Sequence, residues 1–394
     1  MDYISKWALP DGEFTFDLGS LYDTLCSLSD MRKARGKRYE LGMILVLIVL
    51  AKLCNRDKLT AIADWILHRT AELKAALGLT SGRLPSYSTL RRVLGEVVQA
   101  EEFEQVMSAF FAGLPGAGLS TLVVIDGKEL RGTIPPGQSH GRHLLAAYLP
   151  GEGLVLRQVE VADKHNEITA APALLKQLDL AGKTVVADAM FTQHALAATI
   201  LDAGAEYVLP VKENQPTLRQ DIEDLFAPVT VNPGHSPAPT DFLRVERTNR
   251  GHGRIERRTL TTSCMLNDYV AWPGLKQVFM IDREFIYCKT GKVFHEVQYG
   301  ITSLSRAEAP PRRLLDILRE EWTIENELHY RRDVTFGEDA SRLNVGDAPR
   351  LTAAINNLVL NLLNRLGSRN IAKLRRYFDA WPTRGLALVL RRLT

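Results

Sequence analysis

The sequence predicts an α/β protein in which a mixed sheet flanked by helices follows an all-α N-terminal segment and is interrupted by a β-rich insertion. Three observations predict it. Residues 1 to about 115 carry apolar patterns at helical spacing, short β-branched runs alternate with helical ones from residue 122 to 211, and a second β-rich block precedes a long helix that begins near residue 312.

The chain has 394 residues, 24% of them charged and 45% hydrophobic, enough for more than one domain and a large buried core. The four cysteines, Cys26, Cys54, Cys264 and Cys288, form no close pair of the kind used by zinc sites or small disulfide frameworks, which points to a reducing compartment. Met1 to Glu13 show no basic segment leading into an apolar one, so no secretory leader is expected, and the cytosol is the expected location. The apolar run Leu41 to Ala51 falls short of the roughly 20 residues that cross a bilayer, so a buried helix and no membrane partner are expected. Net charge is only +3, but Arg32, Lys33, Arg35, Lys37 and Arg38 cluster near the start, and six arginines fall between Arg244 and Arg258. Such local basic patches point to a polyanionic partner.

Residues 1–115 are expected to form a helical DNA-binding or associated domain. Its helices cover 41–54, 59–67 and 88–98, with Ser88 as an N-cap. Pro85 to Arg92 puts hydroxyls and two arginines at one helix start, as helix-turn-helix readers do, although a capped surface helix has the same pattern. After the Gly/Pro-rich stretch Gly113 to Gly118, the run Leu122 to Ile125 reads as a strand ending on Asp126. Strands at 143–149 and 154–161, a helix at 167–178, a strand at 184–187 ending at Asp188, a helix at 193–203 and a strand at 206–211 complete the first part of an α/β domain, 116–214. Residues 215–309 form the insertion, with a helix and then strands at 257–264, 277–286 and 293–304. Residues 310–368 return to helix, where Leu315, Leu318 and Trp322 recur at helical spacing, and 369–394 are basic C-terminal helices.

The chemistry lies in acids distant along the chain. Asp126 and Asp188 each follow a strand, so adjacent strands would bring both carboxylates to one edge. Glu325 lies on the expected helix Trp322 to Asp333, with His329, Arg332 and Asp333 sharing its face at i+4, i+7 and i+8. Singly, each acid has an ordinary explanation as a turn residue, a helix cap or a solvated carboxylate. Together they suit Mg²⁺, a hard ion that takes a few carboxylates and substrate phosphate oxygens, and a pair of such ions can clamp an in-line phosphoryl displacement. Glu167 and Asp333 compete for places in or behind this cluster.

These residues resemble the DDE transposases of bacterial insertion sequences, specifically the H-repeat-associated (ISAs-type) group. The resemblance spans nearly the whole chain. It is carried by Leu41 to Trp65, Ile125 to Gly132, Lys164 to Ile168, Ala187 to Met190, Tyr207 to Gln215, Gly251 to Glu256, and the Trp322 to Asp333 helix with Phe336 to Asp339. It implies a ribonuclease-H-like catalytic domain and a metal-binding triad of Asp126, Asp188 and Glu325, with the insertion between the last two. One position departs from the wider group: Glu321 stands four residues before Glu325, where an arginine is common, while Arg332 falls where a lysine is frequent.

The expected activity is cleavage of insertion-sequence ends and joining of their 3′-hydroxyls to target DNA, with two Mg²⁺ ions, Mn²⁺ as a substitute, double-stranded DNA as partner and a homodimer synapsing two ends. DNA contacts are expected from Lys128, Arg131, Lys212, Asn214, Gln215, Arg250, His252, Arg254, Arg257, Arg258, His329 and Arg332. Two rival readings are a domesticated derivative that binds DNA without catalysis, and a recombinase using Tyr330 among bases as a nucleophile.

Overall fold

The computed structural model describes residues 19–80, 82–114, 118–161, 166–228, 238–251, 253–367 and 370–390. His252, Lys164, His165 and the arginines at 369, 391 and 392 lie outside them.

The N-terminal part is helical: α1 (Gly19–Cys26), α2 (Leu41–Leu53), α3 (Leu59–His68), α4 (Thr70–Ala76), α5 (Tyr87–Arg92) and α6 (Ala100–Ala112). Then come β1 (Leu122–Leu130), β2 (Arg142–Leu149), β3 (Leu154–Val161), α7 (Glu167–Leu175), β4 (Thr184–Ala187), α8 (His194–Asp202), β5 (Glu206–Val211) and α9 (Pro216–Phe226). The insertion supplies β6 (Leu243–Gly251), β7 (Arg254–Ser263), β8 (Gln277–Tyr287) and β9 (Val293–Thr302). The chain closes with α10 (Pro311–Glu321), α11 (Ala348–Arg365), α12 (Ile371–Ala380) and α13 (Pro382–Leu390). Among the described residues, no helix is long and apolar enough to cross a membrane.

The chain divides into two compact units, each discontinuous in sequence. One gathers residues 1–119, 127–164 and 325–394; the other gathers 120–126 and 165–324.

In the first unit every residue of α2 is buried, as an unbroken apolar run requires of a soluble helix, since no single face of it can be turned to water. β2 and β3 pair antiparallel, and α6 and α11 pack on β3. Polar groups are enclosed here too. Gln158 on β3 donates to Glu104 on α6 and accepts from Asn357 on α11, at 2.9 and 2.8 Å. Lys52 on α2 donates to Asn356, which donates to Glu338 at 2.9 Å. Such a network is stabilising only while its members stay paired.

The second unit is built on a mixed sheet of order β1-β4-β5-β9-β8-β7-β6. β1, β4 and β5 are parallel, and their paired parts, 122–125, Thr184–Ala187 and Glu206–Val211, are almost wholly buried, which is why they read as nearly unbroken apolar runs. β9 then pairs antiparallel with β5, and β8, β7 and β6 continue as a meander. α8 packs on β5, α9 on β8 and β9, and α10 on β4 through β7. Gly300 on β9 is required by packing, because a Cβ there would stand 2.1 Å from the ring of Phe279 on the neighbouring strand.

Three expectations change. β6 has no counterpart among the expected strands, and β1 does not stop at Asp126 but runs on to Leu130; what ends near Asp126 is its pairing with β4, whose last matched residues are Ile125 and Ala187. The expected helix from 312 to 333 is α-helical only to Glu321. It then continues as π-helical turns over Ile324–His329 and Arg331–Thr335. Bonding from i to i+5 widens the turn, so residues at i+4, i+7 and i+8 no longer share one stripe.

Candidate active site

Parallel pairing of β1 with β4 puts Asp126 and Asp188 each one residue beyond the paired Ile125 and Ala187, at the same end of adjacent strands. That end of a parallel pair is where α/β sheets present their ligand-binding groups. Asp126 is half-buried and Asp188 exposed. Lys212, one residue past β5, sets its ammonium 3.5 Å from the Asp188 carboxylate. The loop after β4 is fastened to the loop after β5 by Asn214 and Gln215, whose amides donate to the carbonyls of Ala189 and Thr192 at 2.7 and 2.9 Å. These two side chains thus hold the frame around Asp188.

A third carboxyl joins from α10. Glu321 ends that helix, half-buried, and its pKa is pushed up to about 8 by burial first, then by the negative charge of Asp188 and, more weakly, of Asp126, against the opposing charges of Arg283 and Lys212. Sequence reasoning marked Glu321 only as a departure from a family pattern. Its placement comes from α10 packing on β4 and β5. The oxygen ligands offered by Asp126 and Asp188 at this strand end are of the kind that suits Mg²⁺ or Mn²⁺. Glu167, the other competitor in this unit, opens α7 and is buried.

In the first unit the expected neighbours Glu325 and His329 do come together, a carboxylate oxygen of the exposed Glu325 lying within 4.8 Å of a ring nitrogen of the buried His329, whereas Arg332 is turned into the interior. Arg332 is fully enclosed and bonded to Glu338 at 2.7 Å. Lys128 is buried and paired with Asp333 at 2.5 Å. The DNA contacts expected of Arg332 and Lys128 are therefore corrected: their charges are spent in the interior. Arg131 is exposed, 4.0 Å from Asp339. Tyr330 is exposed too, apart from the buried His329 and Arg332, which removes two of the basic neighbours that a tyrosine nucleophile would have needed.

The arginines of the insertion do not make one patch. Register pairs Thr248 with Arg257 and Arg247 with Arg258, so alternation puts Arg250 and Arg257 on one face and Arg247, Arg254 and Arg258 on the other. On the first face Arg257 meets Glu284 and Glu246 at 3.0 and 3.4 Å. On the second, Arg247 reaches Asp316 of α10 at 2.5 Å, and Arg258 reaches Glu256 at 2.6 Å.

Comparison with known proteins is consistent along the chain. Residues 117–362 match the family described as "Transposase DDE domain", and residues 22–111 match its associated domain. The chain is 31% identical over 351 residues to "Putative transposase YncI" of Escherichia coli O157:H7, covering 87% of both chains. It is 28% identical over 355 residues to "H repeat-associated putative transposase YhhI" of Escherichia coli K12, covering 88% of this chain and 91% of that one. Among solved structures it is similar to a piggyBac transposase in a synaptic complex with hairpin DNA, at a TM-score of 0.43 and 11% identity over 93% of this chain and 78% of that one, a level that identifies neither fold nor site.

Proposed function

Because the chain belongs to the DDE transposases of the H-repeat group, we propose that it cuts the ends of its insertion sequence and joins the freed 3′-hydroxyls to target DNA by metal-dependent phosphodiester transfer on a ribonuclease-H-like core. The observation that carries the reading is the pairing of Asp126 and Asp188 at the ends of adjacent parallel strands. Mg²⁺, or Mn²⁺ in its place, would be held by Asp126, Asp188 and Glu325, and would supply Lewis-acid activation of the attacking oxygen and charge relief at the phosphate. No covalent protein nucleophile is needed.

The protein's own groups position the substrate. Lys212 places a cation at the rim of the aspartate pair, where a phosphate would approach. Asn214 and Gln215 keep that rim in place. Arg131 and Arg254 extend the grip along a DNA backbone, and two copies would be needed to hold two ends. Residues 22–111 would serve as the associated helical domain and the β6 to β9 meander as the insertion between the second and third acids.

The test is a strand-cleavage assay on duplexes carrying the sequences that border its gene, with Mg²⁺ or with EDTA. Cuts confined to Mg²⁺ and lost in Asp188→Asn, with DNA binding retained, are expected. Mg²⁺-dependent nicking that survives the substitution would overturn the assignment of Asp188. Protein–DNA adducts formed in EDTA would instead favour a tyrosine nucleophile.

A further inference from the structure

We infer that Arg283 on β8 is a phosphate-gripping residue of the reaction site, offered to the DNA backbone from a platform formed by Trp322. The inference deepens the transposase reading and rests on it.

The first observation is a row of like charges. Register sets Arg247 opposite Arg258, Arg258 opposite Arg283, and Arg283 opposite Glu296, so three arginines stand side by side across β6, β7 and β8. Like charges directly opposite on adjacent strands destabilise a sheet. Two of the three are compensated at close range, Arg247 by Asp316 at 2.5 Å and Arg258 by Glu256 at 2.6 Å. Among the described residues Arg283 is paired less closely, with Glu296 at 3.9 Å and by a hydrogen bond to Gln298 at 3.3 Å.

The second observation is burial without satisfaction. Arg283 is 8% exposed, and its Nε is buried with no hydrogen-bond acceptor among the described residues. An enclosed donor left unmet costs stability, so a sequence that keeps one there calls for a reason outside the fold. The surrounding charge sharpens the point: after burial, the fields of Arg319, Arg283 and Arg254 help to lower the pKa of Arg258 in spite of Glu256. This corner of the unit carries an excess of cations that one bound anion would settle.

The third observation is aim. The Arg283 guanidinium lies 5.8 Å from the centre of the Trp322 ring, and Trp322 is 57% exposed, so one surface of the pair is open. Trp322 directly follows Glu321, whose carboxyl feels Arg283 together with Asp188, Asp126 and Lys212. Lys212 and Arg283 thus both act on the acid cluster at Glu321. A planar guanidinium matches a phosphate with paired N–H donors, which an ammonium cannot do, and a charge so placed acts where negative charge develops during phosphoryl transfer.

The experiment scans the element's end with single methylphosphonates, each removing the charge of one phosphate, and measures Mg²⁺-dependent cleavage by wild type, Arg283→Met and Arg283→Lys. In wild type one position beside the cut is expected to cost roughly 10- to 100-fold, the range of a charged hydrogen bond. Arg283→Met, with its unfolding temperature checked, is expected to lose a similar factor on unmodified DNA and nothing more at that position, and Arg283→Lys to recover only part of it. If no neutralised phosphate near the cut costs wild type more than about twofold, the inference fails whatever the variants do. It fails alone if a folded Arg283→Met cuts like wild type, or keeps the wild-type sensitivity at every position. If wild type makes no Mg²⁺-dependent cut at all, the transposase reading falls with it.

Discussion

Arg332 and Glu338 form an enclosed ion pair, 2.7 Å apart, at the centre of the polar network of the first unit. Glu338 is held below the ordinary carboxylate range by Arg332 and by the Asn356 amide, which together outweigh its burial. Arg332→Ala leaves a buried carboxylate without its counter-charge, and breaking a buried pair from one side costs about 3–5 kcal/mol. Denaturant unfolding is expected to show that loss, with Arg332→Met paired with Glu338→Leu recovering part of it. A change under about 0.5 kcal/mol in Arg332→Ala, the size seen for surface substitutions, would mean that the charge is not enclosed in solution.

Lys212 and Asp188 behave oppositely. Their side chains are 52% and 53% exposed, so water screens the pair and its contribution to stability is small. Lys212→Ala is expected to leave the thermal unfolding midpoint within about a degree or two of wild type, yet to lower cleavage and weaken DNA binding most at low salt. A large drop in the midpoint with activity unchanged would reverse the assignment.

The contrast shows what a sequence can and cannot display. The strands that carry Asp126 and Asp188 were legible because burial on both faces leaves little but Val, Ile and Ala in them, and that monotony survives without coordinates. β6 was not, since Leu243 to Gly251 is an edge strand with mostly exposed, charged side chains, whose pairing satisfies backbone groups and leaves no apolar alternation. Arg332 was misplaced because an arginine reads the same whether it meets a phosphate or Glu338, and because helical periodicity was extended into turns that do not keep it. Glu321 carried no signal of its own. Its meaning depends on a helix and two strands far apart in the chain meeting at one end of a sheet.

Glu321 gives the molecule a pH dependence whose sign follows from its shift. The group is protonated in the folded protein up to about 8 but ionises near 4.5 once unfolded. Between those values the unfolded state binds fewer protons, so stability falls as pH rises through the window. Glu321→Gln removes the titration, and its stability relative to wild type should climb steadily from pH 5 to pH 8. Unfolding measured at several pH values in EDTA, which keeps divalent ions out, would show this as converging or diverging curves; a constant offset would mean that Glu321 ionises normally.

The split of the insertion arginines over two faces makes the DNA path measurable. Arg254 and Arg258 share the face of Arg283 and Trp322, whereas Arg257 lies on the opposite face between Glu246 and Glu284. Each phosphate contact removed lowers the slope of log affinity against log salt by about one, independently of sequence. Arg254→Ala should therefore flatten the slope by about one, while Arg257→Ala, already neutralised locally, should leave it unchanged. Binding titrations at several salt concentrations decide it. If Arg257→Ala flattens the slope and Arg254→Ala does not, DNA runs along the opposite face of the meander, away from Trp322, and the grip proposed for Arg254 is misassigned.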